Sequence, residues 1–242
     1  MRQLILILFI GFCALHAFAQ KYVDTENEFA LLSAYPRTVT DVKLDSVITL
    51  ADMYSRYPSS WVKDYLAVEI AIKKGGAVVT AHGNSDTLTS EQLVMLRSAD
   101  LYSDVEVKVS YIPDNTLSIR EEKLIEFDVT IVPGHHSVFG SGYEEVMEYV
   151  KQKAKQTSGY EWTDTSHYTV VAFTVDEEGQ VVDAKIKDST ASDSVRSAVL
   201  ETICKMPAWY SAESKTGEKV AEEFLVTVGN DIGYCRIVSL QF

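Results

Sequence analysis

The stretch "KMPAWYSAESKTGEKV", residues 205–220, ends one element and begins another within a few residues. Pro207 has no amide to donate and pushes Met206 away from helical backbone, so a helix rising from about Ser192 must stop at Lys205 or Met206. Trp209 comes just past that stop. Its ring can fold back over the helix end and a neighbouring sheet, burying about 200 Å². Lys215-Thr216-Gly217 reads as a turn in which glycine is free to take positive φ, and an apolar strand starts at Val220.

The same grammar extends upstream. "YTVVAFTV" alternates Val171, Phe173 and Val175 with other residues, and Asp176-Glu177-Glu178-Gly179 turns the chain into "QVVDAKIKD", the second arm of a hairpin. The helix over about 192–206 carries Val195, Val199, Ile203 and Met206 on one stripe. Before the hairpin, "SGYEEVMEYVKQKAKQ" sets Ser141 and Glu144 at capping-box spacing and places Tyr143, Met147, Val150 and Ala154 on one helical face. The order is helix, strand, strand, helix, strand, then a tail.

Residues 61–132 form a different unit. "YLAVEIAIK" sets Leu66, Val68, Ile70 and Ile72 on one strand face, and "AVVTAH" returns after Gly75-Gly76. "TSEQLVMLRSA" opens with Thr89 and Gln92 at capping-box spacing. Val105, Val107, Val109 and Tyr111 make one later stripe; Ile125, Phe127, Val129 and Ile131 make another. The expected class is therefore α+β, with a mostly-β, sandwich-like domain (61–132) followed by a small domain (135–242) of helix-strand-strand-helix-strand order and an extra tail. Pro133-Gly134 reads as a hinge between them. Residues 20–60 read as an extension with weak helical character.

The opening "MRQLILILFIGFCALHAFA" has one Arg, an apolar run and a small-x-small end, the layout of a secretory signal (1–19) cut after Ala19. The 242-residue chain has a formal net charge of −13, which disfavours nucleic acid and anionic membrane as partners. With 46% hydrophobic residues it has enough apolar content for packed domains. The localisation expected is the periplasm or cell envelope, with no stable membrane insertion after cleavage. Cys204 and Cys235 remain after that cut and are either two thiols or one disulfide. Cys204 and Leu200 lie off the apolar stripe of their helix; the tail that carries Cys235 would cover them if it folds back, and a bridge would lock it there.

"FTVDEEGQVVDAKI" followed by "KMPAWYSAESKTGEKV" resembles the C-terminal domain of TonB and its relatives. Phe173, Val175, Gly179, Val181, Met206, Pro207, Trp209, Gly217, Lys219 and Val220 fall on the family pattern, over about residues 138–228. The resemblance implies a helix across a small sheet, with Trp209 packed between them and structural roles for Phe173, Gly179, Met206, Pro207 and Gly217. It also implies capture of an extended peptide, such as a receptor's plug segment, at a sheet edge. The first half is similar, more faintly, to the sandwich domains of GldM-type gliding and secretion proteins.

Little in the sequence suggests catalysis. His135 and His136, with His167, supply three imidazoles for a metal-dependent hydrolase, yet neighbouring histidines face opposite sides of an extended chain and no helical i, i+4 pair or Cys cluster completes a site. No metal and no cofactor is expected. Glu222 and Glu223 on one strand also face opposite ways. No serine or cysteine has the surroundings of a nucleophile. The function expected is non-enzymatic binding of a protein or extended peptide by strand addition, along an edge formed by Val220, Glu222, Phe224, Val226 and Val228. The alternative is a TonB-type energy transducer serving an outer-membrane receptor, should the first segment stay as an anchor.

Overall fold

The computed structural model describes residues 29–74, 76–115, 121–158 and 167–229. The protein is α+β, built on two main sheets with a separate two-stranded hairpin. The first, in the N-terminal half, has strand order β2 (Thr38–Thr40), β6 (Lys123–Val132), β5 (Asp104–Pro113), β3 (Val62–Lys74), β4 (Ala77–Gly83). All its pairings are antiparallel except β2 with β6. Alternation decides its faces, as the stripes anticipated. Val68, Ile70, Val105, Val107, Val109, Val129 and Ile131 are buried, and three helices share their core: α1 (Asp41–Leu44), α2 (Leu50–Met53) and α3 (Ser90–Arg97) contribute Leu44, Leu50, Met53 and Leu96.

The opposite face carries Glu106, Lys108, Glu126 and Asp128 in solvent. This corrects the sandwich expectation. A second sheet could pack only on an apolar face, and here helices already cover the one apolar face while the other is charged. Leu66 is a second correction. The β3–β5 register slips between Tyr65 and Ala67, which turns Leu66 outward and packs Tyr65 against the core instead. The capping box on α3 forms as read, with Gln92 fully buried and its Nε2 donating to the Val68 carbonyl at 3.1 Å.

The second sheet has order β1 (Phe29–Ser33), β11 (Glu222–Gly229), β7 (Tyr168–Val175), β8 (Val181–Ser189), all antiparallel. Helices α4 (Tyr143–Ser158) and α5 (Asp193–Cys204) share its core, made of Val146, Val150, Val195, Val199, Ile203 and Met206 against Val171, Phe173, Phe224 and Val226. The expected helix-strand-strand-helix-strand order is present, with a small hairpin of β9 (Ala212–Glu213) and β10 (Lys219–Val220) inserted before the last strand. At α4 the capping carboxylate is Glu145 rather than Glu144: its Oε2 accepts from the Ser141 amide at 2.8 Å and the Ser141 hydroxyl at 3.0 Å.

Trp209 is buried, its ring centroid 5.4–5.7 Å from those of Phe139, Phe173 and Phe224. Its amide donates to the Gly179 carbonyl at 2.8 Å. Gly179 has φ +80, and a Cβ there would come within 2.1 Å of the Trp209 carbonyl oxygen. The turn glycine and the plug tryptophan are thus one joint, closed only because residue 179 lacks a side chain.

Two domain expectations change. Residues 20–60 are not a separate extension among the described residues: β1 completes the second sheet, whereas β2, α1 and α2 belong to the first. Pro133-Gly134 is not a free hinge either. A Cβ on Gly134 would lie 2.3 Å from Val42, and the chain beyond it is pinned by bridges from His135 to Glu213 and from Val138 to Tyr210.

Candidate binding edge and the seam between the sheets

The strand proposed to offer a free edge does not have one. Phe224, Val226 and Val228 of β11 pair with Ser33, Leu31 and Phe29 on one side and with Phe173, Val171 and Thr169 on the other. Both ladders are occupied from Phe224 to Val228, so Phe224, Val226 and Val228 cannot receive an added strand; Glu222 pairs with Val175 and its side chain is buried, while Val220 lies outside β11 and pairs with Ala212 in the β9–β10 hairpin. The strand that covers β11 comes from residues 29–33, almost two hundred positions upstream, where the sequence reads as weakly patterned. A pairing that distant leaves no local signal.

Among the described residues, the outermost strands are β1 and β8 in one sheet, β2 and β4 in the other. Three of them are ill suited to pairing. β2 has three residues. β8 slips register twice against β7, holds Asp183 at φ 52, and carries Asp183, Lys185, Lys187 and Asp188. β1 is short, with Ala30 buried and Leu31 packed on the core. β4 differs. Its register with β3 is unbroken from Ala77 to Gly83, and "AVVTAHG" holds no Pro, Lys, Arg or acid.

Beside β4 runs a groove of about 410 Å³ between the strand and α3, with Ile72, Val79, Val94, Met95 and Glu91 among its walls. Val79 points to the core side, paired with the buried Ile72, yet α3 stops short of covering it. Val78, Val79 and Val94 remain 62%, 45% and 67% exposed. Among the described residues, the sheet thus ends with unpaired main chain and an uncovered apolar row side by side. The adjacent valines and missing charges of "AVVTAH" are visible in the sequence; that this strand is outermost is not.

The second notable cluster lies at the seam between the sheets. His136 Nδ1 meets Glu222 Oε1 at 2.6 Å, and the Ser137 amide donates to Glu222 Oε2 at 2.6 Å. Glu222 is 2% exposed while the His136 side chain keeps 39% of its surface in solvent. The hydrogen bond to Glu222 raises the His136 pKa, against an opposing effect of burial. Alongside, the Tyr102 hydroxyl donates to the Ala221 carbonyl and the Tyr102 ring stacks on Tyr35 at 5.5 Å. Burial, with Glu223 and Asp104 nearby, pushes the Tyr35 hydroxyl up to about 12. A third tie is Asp41, buried on α1, whose Oδ2 accepts from the Lys215 amide at 2.7 Å while Lys215 Nζ reaches Asp45 at 2.9 Å.

A histidine tethered through Nδ1 to a buried carboxylate is half of a general-base arrangement. The other half is lacking: the adjacent Ser137 hydroxyl is buried and has no hydrogen-bond partner among the described residues. His135 faces solvent and His167 sits at the start of β7, and no group of three metal-ligating side chains is found among the described residues. Glu222 and Glu223 do face opposite ways, one buried and one exposed. Cys204 is an exposed free thiol at the end of α5; Cys235 lies outside the described residues.

Comparison with known protein families, with characterised proteins and with solved structures finds no match for this chain. What the fold defines is a class: an α+β protein with two main sheets, a polar seam between them and, among the described residues, a regular uncharged strand edge at β4.

Proposed function

We propose that the protein is an exported, soluble cell-envelope component that binds a protein or extended peptide without catalysing a reaction, taking the ligand up as an added strand. The observation that carries this reading is β4: a regular, uncharged seven-residue edge lying against an open apolar groove. Main-chain pairing along such an edge supplies affinity, and alternate side chains dropping into the groove supply selectivity. Strand addition is the mode that the resemblance of residues 138–228 implied for the second sheet; at β4, in the first sheet, it stands on the edge and the groove alone. The place is transferred from β11 to β4, because β11 is enclosed.

Proline scanning tests it. Of Val79→Pro and Thr80→Pro, one removes an amide facing β3 and lowers the melting temperature; the other removes an outward amide and leaves it near the parent value. The second variant is expected to lose partner capture from an envelope extract. Full capture by that variant would remove β4 from consideration. Export is tested by sequencing the amino terminus of the native protein, where Gln20 as first residue is expected. Intact Met1 in the membrane fraction would instead favour the energy-transducer alternative.

A further inference from the structure

We propose that the segment received at β4 is cationic: an extended stretch of a partner protein with an apolar side chain facing Val79 and Val94 and a Lys or Arg two positions away, paired with Glu91. This inference rests on the strand-addition reading and adds the chemistry of the ligand. Among the described residues lining the groove, Glu91 is the sole charged one, and it lies one turn before Val94 on the same face of α3. A strand added to β4 repeats on one face every ~6.8 Å, and residues three apart on a helix advance ~4.5 Å. An apolar residue seated at Val79 and Val94 therefore leaves Glu91, ~4.5 Å along the helix from Val94, within reach of a long basic side chain on its same-face neighbour. On the other face the new strand meets Val78, Thr80 and His82, which accept threonine or valine.

Charge argues against the other occupants. The chain carries 35 acidic against 22 basic residues, so an acidic segment is repelled at long range and a basic one attracted. A second copy brings the same excess, and its β4 has no Lys or Arg to set opposite Glu91.

The test uses the full exported chain and two synthetic nine-residue peptides of alternating valine and threonine, one with lysines and one with glutamates near the ends. Fluorescence anisotropy at low salt is expected to show the lysine peptide binding about fivefold more tightly, the worth of one or two exposed ion pairs. Glu91→Lys, an exposed change on α3, is expected to reverse that order, and raised salt to shrink it. Equal binding of both peptides, abolished by the outward-amide proline variant, would overturn the cationic preference and leave strand addition standing. Binding of neither peptide, or binding indifferent to that proline, would overturn both. Dimerisation through β4, read by light scattering and lost in the same proline variant, would show a second copy to be the occupant and likewise overturn the proposal.

Discussion

Trp209 shows what a single side chain does here. Three aromatic rings surround it, and its indole Nε1 is buried without an acceptor among the described residues, so its contribution is packing rather than hydrogen bonding. Trp209→Ala is expected to cost about 3–5 kcal/mol in urea denaturation, as other large-to-small core changes do; an unchanged midpoint would mean the ring is not load-sharing. His136 gives a pH-dependent case. Its folded-state pKa is raised above the ordinary 6.5, so the stability it contributes is fully present below that value and is lost as pH rises through the raised one. The melting temperature is expected to fall as pH rises above 6.5 through that window, and His136→Gln to flatten that part of the profile. An identical profile in the variant would show that another group titrates there. Trp209 was legible from its position after Pro207. The partnership of His136 with Glu222 was not, because 86 positions separate them and each alone looks like an ordinary surface residue.

At the scale of elements, periodicity identifies strands and helices but is silent about which strand lies outermost. The last strand alternates as an edge strand would, yet β1 pairs along it from Phe29 to Ser33. Removing β1 by starting the chain after Ser33 is expected to open that ladder. Hydrogen exchange should then quicken at those amides of Phe224–Val228 that bond to β1, while the amides bonded to β7 slow-exchange as before. Unchanged exchange on the β1 side would contradict the observed pairing. β4 makes the complementary point: its missing charges are legible in "AVVTAHG", but their meaning depends on its outermost place among the described strands.

At the scale of the molecule, the chain passes between the sheets twice, after β1 and after β6, and polar ties close the seam. Asp41 is one of these, buried and accepting the Val42 amide at 2.7 Å as well as that of Lys215. Asp41→Ala would leave the Lys215 amide short of a partner, at about 1–3 kcal/mol. Calorimetry is expected to show one unfolding transition for the parent and two for that variant, one for each sheet. A single transition at the parent temperature would show that Asp41 does not couple them.

By itself the sequence determined the α+β class, the helix-strand-strand-helix-strand order of the second half, the stripes that became both cores, and Pro207, Trp209 and Gly217 as stop, plug and turn. These are local properties: side-chain period, helix stops and glycine turns act within a few residues. Only the tertiary structure decided that the first sheet is covered by helices instead of a second sheet, that β1 encloses β11, that Leu66 turns outward at a bulge, and that the open edge with its groove lies at β4. Each of these depends on which distant segment reaches a given strand first, and backbone hydrogen bonds between strands are the same whatever the side chains. The long-range order of strands is therefore settled by the packing of the whole chain, not by the pattern of any one segment.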